Sequence, residues 1–166
     1  MKHVSQHERL KKVKIEILTV GKPKASYVKD GLSEYLKRLK VHLPLSMKHV
    51  PDRSKRKNAE KVLEEEGKEI LSTVGDEDFL VLLDVGGRLV DSVSFAAWVQ
   101  KKLNETPKKL IFCVGGAYGV SEDVKRRANF LLSLSPMTFP HEMSLLILVE
   151  QLYRAVMINK GSAYHH

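Results

Sequence analysis

The sequence predicts an α/β domain in which helices flank a mainly parallel sheet. Two observations support this fold class. Short apolar runs without polar alternation, at residues 79–83 and 110–114, are typical of strands that are buried on both faces. Helical segments alternate with such runs along the chain, and 166 residues are enough for one domain with a sizeable hydrophobic core.

The first half of the chain alternates strands with amphipathic helices. Residues 1–11 are polar and unpatterned, which predicts a flexible lead, or the remnant of an organellar targeting sequence, ahead of a single domain at 12–166. The elements predicted next are a strand at 13–18 that leads to Gly21, a helix at 26–39, a strand at 43–50 and a helix at 59–71.

The second half of the chain ends in a long apolar helix. The elements predicted before it are a strand at 79–84, a helix at 94–103 capped by Ser92 or Ser94, and strands at 110–114 and 130–134. Apolar residues cover nearly the whole circumference of the helix predicted at 140–158, and such a helix is buried. In a chain of this size, we expect a second copy to cover one side of it, which predicts a symmetric homodimer.

The chain carries a net charge of +8, from 28 lysine and arginine residues against 20 aspartate and glutamate residues. This surplus predicts attraction to nucleic acid or to an acidic membrane face, although a basic surface also aids solubility. No apolar stretch is both long enough and sufficiently free of charged residues to span a bilayer. The loop at 52–58 is the densest basic segment, and it indicates either phosphate contact or a solvated charge run.

The cysteine and histidine residues argue against disulfide and metal chemistry. The single cysteine, Cys113, lies in a predicted buried strand, so no intrachain disulfide forms and a reducing compartment such as the cytoplasm is expected. The histidines near the two ends of the chain share no ligand spacing, so no metal site is predicted.

A glycine-rich loop at 115–119 follows the strand at 110–114, and a loop of small residues at 135–138 follows the next strand. Two strand ends with such loops predict a ligand cradle. The Gly-Lys-Ser/Thr triplet of phosphate-binding loops is absent, as are the early Gly-x-Gly-x-x-Gly of dinucleotide folds and the Gly-x-Ser-x-Gly elbow of hydrolases. Because these motifs are absent, they do not identify the ligand of the predicted cradle.

Four blocks in order carry a resemblance to a known family. They are VGGAYG at 114–119, LSLSPMTFPH at 132–141, EQLYRA at 150–155 and the closing Tyr164-His165. Together they resemble the RlmH-type ribosomal RNA large subunit methyltransferases of the SPOUT class. The resemblance covers the chain from about Val13 to its end, and the combination of blocks is far more specific than any one of them.

The resemblance implies a C-terminal trefoil knot, a homodimer and S-adenosylmethionine as the methyl donor. It implies methylation at N3 of a pseudouridine in a stem-loop of large-subunit ribosomal RNA. The residues expected to bind the donor are Leu83, Gly115, Gly116, Leu134, Ser135, Pro136, Met137, Thr138 and Phe139. The residues expected to contact RNA are Arg53, Lys55, Arg56, Lys57 and His141.

The tail at Tyr164 and His165 is expected to meet the target nucleotide across the dimer. Methylation at N3 requires removal of the imide proton, which a neutral histidine can accept, and His165 is the candidate. Arg154 is expected to stabilise the negative charge that develops on the neighbouring carbonyls, although support of the helix terminus is an alternative role.

The chain departs from the family pattern at Leu145, where the family usually has arginine, and at Glu142, where glutamine is common. Leu145 supports an alternative function, a ribosome-binding or RNA-binding factor that has kept the fold and lost catalysis. A further alternative is a SPOUT methyltransferase that acts on another RNA position.

Overall fold

The computed structural model describes residues 14–106 and 108–165. The predicted lead at 1–11, the predicted strand start at Val13 and the terminal His166 lie outside the described residues. Within them, five parallel strands form one sheet with the order β2-β1-β4-β3-β5. The strands are β1 Lys14–Val20, β2 Leu45–Val50, β3 Phe79–Leu89, β4 Lys109–Val114 and β5 Phe130–Ser133.

In the described part of the chain, five helices cover the two faces of the sheet. They are α1 Ser26–Lys40, α2 Ala59–Thr73, α3 Ser92–Glu105, α4 Glu122–Arg127 and α5 His141–Asn159. The long helices α1, α3 and α5 pack on one face and bury the larger core. Helices α2 and α4 pack on the other face, where Ile70 and Val124 meet the strands. The α/β fold class predicted from the sequence is confirmed.

The central strand β4 shows why the apolar runs lack alternation. Its residues 110–114 are all buried, because side chains on one face enter the larger core and those on the other face enter the smaller one. Cys113 is fully buried in this strand, and burial raises the pKa of its thiol to about 12.

Strand β3 is longer than the sequence predicted. It does not end at Asp84 but continues through Gly86 and Gly87 to Leu89, with a shift in its pairing to β5 between Leu83 and Arg88. Gly87 makes this extension possible, since a Cβ at this position would lie 2.7 Å from the carbonyl oxygen of Leu131.

The cap of α3 also differs from the prediction. Asp91, rather than Ser92 or Ser94, is the N-cap residue, and its carboxylate accepts a hydrogen bond from the Ser94 backbone N–H at 2.8 Å. A carboxylate at this position also interacts favourably with the helix dipole, which explains why Asp91 caps α3 in preference to the two serines.

Helix α5 is buried along one side and half-buried along much of the rest. Six of its residues are buried, namely Leu145, Leu148, Val149, Leu152, Ala155 and Met157. Its hydrophobic neighbours are α1 and α3. No helix within the described residues is both long enough and apolar enough to cross a membrane.

Candidate functional site

A cavity of about 550 Å³ lies at the carboxyl ends of β4 and β5, beside residues 83–85 of β3. This is the edge of a parallel sheet at which ligands bind in open α/β folds. We call it the first cavity. Its wall is formed by residues 83–85 within β3, by 114–120 around the end of β4, by Leu132 in β5, by Leu134, Ser135 and 137–141 after β5, and by Lys125 and Ser144.

The glycine loop, residues 115–119, forms one side of the first cavity. A Cβ at Gly115 would lie 2.9 Å from the Val120 side chain, and one at Gly116 would lie 3.0 Å from the Val20 side chain. Gly119 has a φ of +83° and donates its N–H to the Gly116 carbonyl at 3.0 Å. The loop therefore needs glycine for close packing and for its turn.

The segment at residues 134–139 also lines the first cavity, and we call it the donor loop because the resemblance predicts that it binds the methyl donor. The Ser133 hydroxyl donates to the Ser135 carbonyl at 3.0 Å, and the Ser135 hydroxyl accepts from the Met137 N–H at 3.0 Å. These local bonds hold the loop in one shape. The structure brings Leu83, Gly115 and Gly116 to the same cavity as five of the six predicted donor-loop residues, and Pro136 alone does not line it.

An ion pair at the first cavity was not predicted from the sequence. The Lys125 ammonium on α4 lies 3.6 Å from the Asp84 carboxylate, and both residues line the cavity. Asp84 also accepts a hydrogen bond from the Gly86 N–H at 2.7 Å. Lys125 belongs to a short polar helix that has no motif of its own, so no sequence signal marked it.

The basic loop, residues 52–58, lies beside the glycine loop. The Tyr118 hydroxyl of the glycine loop donates to the Ser54 carbonyl at 3.4 Å. Arg53 pairs with Glu65 at 3.2 Å and with Glu69 at 3.1 Å, and Arg56 pairs with Glu65. Lys55 and Lys57 are exposed and make no ion pair within the described part of the chain, so they are the basic-loop cations most available to a phosphate.

His141 begins α5 and lines the first cavity, close to the carboxylates of Asp52 and Glu66. Hydrogen bonds from Ser54 hold the pKa of Asp52 below its usual value, and Lys24 and His141 lower it further. Glu142, the next residue, accepts hydrogen bonds from the backbone N–H groups of Lys24 and Ala25. Glu142 therefore joins α5 to the entrance of α1.

The tail residues gather around Glu150 on α5. The Glu150 carboxylate accepts hydrogen bonds from the Arg154 guanidinium at 2.7 and 3.1 Å and from the Tyr164 hydroxyl at 3.2 Å. The Tyr164 ring packs edge-on against Tyr153, with ring centroids 4.8 Å apart. Burial raises the pKa of Tyr164, so its hydroxyl stays protonated and acts as a donor. Tyr164 therefore anchors the tail to the helix.

His165 follows this anchor, and its Nδ1 lies 3.3 Å from a guanidinium nitrogen of Arg154. His165 lines a second cavity, of about 490 Å³, together with Ser92, Gln151 and other residues of α3, β5 and α5. The two cavities share Leu132 and Leu134. Within one chain, His165 and the predicted donor site therefore face neighbouring but separate cavities.

Leu145, which departs from the family pattern, is 2% exposed and belongs to the larger core. It does not line the first cavity, and it lies at a small neighbouring cavity together with Val20, Val114 and Gly115 at the ends of β1 and β4. Across residues 14–106 and 108–165, no cluster of three or more histidine, cysteine, aspartate or glutamate side chains is arranged to hold a metal ion.

Comparisons with known proteins agree with this geometry. A family model described as predicted SPOUT methyltransferase matches residues 13–165. A protein of Lactococcus lactis subsp. cremoris named ribosomal RNA large subunit methyltransferase H is 41% identical over 158 residues, which cover 92% of this chain and 99% of the relative.

Proteins with the same name from two other bacteria give similar values. The one from Cytophaga hutchinsonii is 43% identical over 93% of this chain and 100% of the relative, and the one from Parabacteroides distasonis is 41% identical over 93% of this chain and 99% of the relative. Together with the cavity between the glycine loop and the donor loop, these matches lead to one conclusion: the chain belongs to the SPOUT methyltransferase family.

Proposed function

We propose that the protein is an S-adenosylmethionine-dependent methyltransferase that modifies large-subunit ribosomal RNA. The observation that carries this proposal is the first cavity, which both the glycine loop and the donor loop line at the carboxyl edge of the sheet. The name of these relatives, ribosomal RNA large subunit methyltransferase H, supports the substrate class. The net charge of +8 suits a polyanionic substrate.

The residues of the first cavity fit the proposed donor. A volume of about 550 Å³ lies within the usual range for small-molecule sites. When bound, S-adenosylmethionine supplies a methyl group activated by its sulfonium. We expect the glycine loop and the donor loop to hold the adenosine part mainly through backbone groups, because neither loop carries a charged side chain. The Asp84 carboxylate and the Lys125 ammonium offer charges of both signs for the amino and carboxylate groups of the methionine part of the donor.

We propose N3 of a pseudouridine in a stem-loop as the methyl acceptor, with Arg154, Tyr164 and His165 beside it. Tyr164 holds the tail, and Arg154 supplies a fixed positive charge for the oxygens of the ionised imide. Hydrogen bonding to Glu150 raises the pKa of Arg154, so this charge is permanent. Positioning of the acceptor against the donor supplies much of the rate enhancement.

The contact between Arg154 and His165 sets a condition on the role of His165. Arginine only donates hydrogen bonds, so Nδ1 of His165 accepts in this arrangement and Nε2 of a neutral ring carries the proton. In that state His165 can donate to a substrate carbonyl but cannot accept the imide proton. We infer that Arg154 turns toward the substrate before His165 acts as the base.

We propose that the active form is a homodimer in which the tail of one copy meets the donor of the other. Large apolar residues around the two cavities support this proposal, since Val85, Leu89, Val93 and Met137 are all more than half exposed. Exposed apolar residues concentrated in this way are typical of an interface. A second copy seated on them would bring the separate tail and donor cavities of two chains together.

The alternative of a catalytically impaired binding factor rested on Leu145. Leu145 is buried among core residues and does not line the first cavity, where Lys125 supplies a cation. We therefore favour the enzyme.

The proposal also includes a single SPOUT domain at residues 12–166 with the knot implied by the family, and a cytoplasmic setting where ribosomes are assembled.

The decisive experiment is label transfer. Radioactive S-adenosylmethionine and the purified protein are incubated with ribosomes from a strain that lacks the modification, and the labelled nucleotide is mapped by mass spectrometry. Label at N3 of the stem-loop pseudouridine is the expected result. Label at another nucleotide would support a different RNA target, and bound donor without any transfer would support the binding factor.

A further inference from the structure

Glu66 is a buried carboxylate that has no part in the proposed chemistry. It lies on α2 with only 3% of its surface exposed. The neighbouring Gly67 lets α2 approach α4 closely, because a Cβ at Gly67 would lie 2.3 Å from the Ser121 hydroxyl. This close approach seats Glu66 beneath the carboxyl edge of the sheet, where the loops of the site begin.

The two oxygens of Glu66 face two different loops. Oε1 accepts a hydrogen bond from the Arg53 backbone N–H in the basic loop, at 2.8 Å. Oε2 accepts no hydrogen bond from the residues that the structure describes, and it lies 3.1 Å from the position that a Cβ of Gly116 would take in the glycine loop. One buried side chain thus fills the space between the two loops.

Other contacts join the basic loop to α2 and the glycine loop to the basic loop. The Arg53 side chain is 21% exposed and pairs with Glu65 and Glu69, which are also on α2. The Tyr118 hydroxyl joins the glycine loop to Ser54 in the basic loop. A movement of the glycine loop that shifts Gly116 therefore presses on Glu66, and Glu66 transmits it to the backbone of Arg53.

We propose that Glu66 is a positioning residue that couples the basic loop to the glycine loop, so that donor binding at one loop orders the other for contact with RNA. This inference rests on the proposed function, because it takes the glycine loop as part of the donor site. Coupling of this kind is reciprocal, so RNA held by the basic loop also tightens the donor site.

Hydrogen exchange with mass spectrometry tests the coupling without any methyl transfer. The ligand is S-adenosylhomocysteine, and the full-length proteins are the wild type, Glu66→Ala, Glu66→Gln and a control, Glu64→Ala. Glu64 is on the same helix, but its carboxylate pairs only with Lys68 on the surface among the described residues. The Arg53 amide reports directly on the bond to Glu66.

In the wild type, we expect S-adenosylhomocysteine to slow exchange both in the donor loop and at residues 52–58. In Glu66→Ala, the Arg53 amide should exchange roughly tenfold faster without ligand, since its buried acceptor is lost. The ligand should then protect the donor loop but not residues 52–58. Glu66→Gln keeps an acceptor oxygen for the Arg53 N–H, so it should restore the coupling, and Glu64→Ala should match the wild type.

A second measurement uses a fragment of large-subunit ribosomal RNA. S-adenosylhomocysteine should strengthen its binding to the wild type by about fivefold or more, and this gain should vanish in Glu66→Ala. Equal protection of residues 52–58 in Glu66→Ala and wild type would overturn the inference and leave the proposed function intact. Failure of the wild type to bind S-adenosylhomocysteine would overturn both.

Discussion

At the scale of single residues, the sharpest prediction concerns His165. Replacement by alanine should lower the rate of methyl transfer by about 10²-fold or more, because proton transfer by a positioned side chain contributes that much. Binding of S-adenosylhomocysteine should stay unchanged, since His165 does not line the first cavity. Single-turnover label transfer and titration calorimetry give the two values. Transfer at the wild-type rate would rule out the role of His165.

A second prediction at this scale concerns the pH dependence of stability. Burial raises the pKa of Glu66 above its usual 4.5, while the Arg53 N–H, the Arg53 charge and His141 act in the opposite direction and Asp52 adds to the rise. A carboxyl with a raised pKa stabilises the fold when protonated, and this contribution is lost as the pH rises from 4.5 through the folded-state value.

Glu66→Gln lacks this titration. Its free energy of unfolding, relative to wild type, should therefore increase as the pH is raised from about 4 to 7. Urea denaturation at several pH values measures the difference. A difference between the two proteins that does not change with pH would show that Glu66 has an ordinary pKa in the folded state.

The residues of the candidate site divide into those that the sequence could reveal and those that it could not. The glycine loop and the donor loop could be predicted because each combines a strand end with several small residues in a fixed order. Asp84 with Lys125, and Glu66 with Arg53, could not, because these pairs join distant segments through the fold. Glutamate and lysine are common on solvated helices, so their types carried no signal.

At the scale of secondary-structure elements, the contact between α2 and α4 gives a stability prediction. Gly67→Ala should destabilise the protein by about 1–3 kcal/mol, although alanine favours helices, because its Cβ would meet the Ser121 hydroxyl at 2.3 Å. Chemical denaturation gives the free energy of unfolding. Adding Ser121→Gly should recover most of the loss, and an unchanged or raised stability in Gly67→Ala alone would contradict the tight contact.

Most elements could be predicted from periodicity, and the errors have local causes. The helices and strands lie where apolar spacing indicated, usually to within two residues. The extension of β3 was missed because Gly86-Gly87 is usually a turn, whereas here the missing Cβ lets β5 approach. The cap of α3 was assigned to a serine because the sequence alone did not show that Asp91 lay next to the first turn.

At the scale of the whole molecule, the basic loop predicts how RNA binding depends on salt. Each phosphate contact that is lost should reduce the slope of log affinity against log salt by about 0.7 for single-stranded RNA. The double variant Lys55→Ala/Lys57→Ala should therefore show a shallower slope, measured by filter binding. The control Lys37→Ala/Lys40→Ala removes two charges from the last turn of α1, at the opposite edge of the sheet, and should keep the slope. Equal slopes in both variants would exclude the basic loop from the contact.

The proposed dimer gives the last prediction. Val93 is 53% exposed and lines the second cavity, so Val93→Asp should place a charge in the interface and shift the protein from twice the chain mass toward 18.8 kDa in light scattering. The rate of methyl transfer should fall as the fraction of dimer falls. Val41→Asp is the matched control, because Val41 is 80% exposed at the end of α1 and lines neither cavity. A dimer unaffected by Val93→Asp would place the interface elsewhere.

The buried thiol of Cys113 has a practical consequence. It is the one cysteine of the chain, it lies in the central strand of the sheet, and its raised pKa keeps it unreactive while the fold is closed. A maleimide or disulfide reagent can therefore reach it only when the sheet opens, without any engineered label. When the fold closes faster than the reagent reacts, the rate at which native protein is modified reports the population of the open state, and therefore how far each variant or each bound ligand changes the free energy of unfolding.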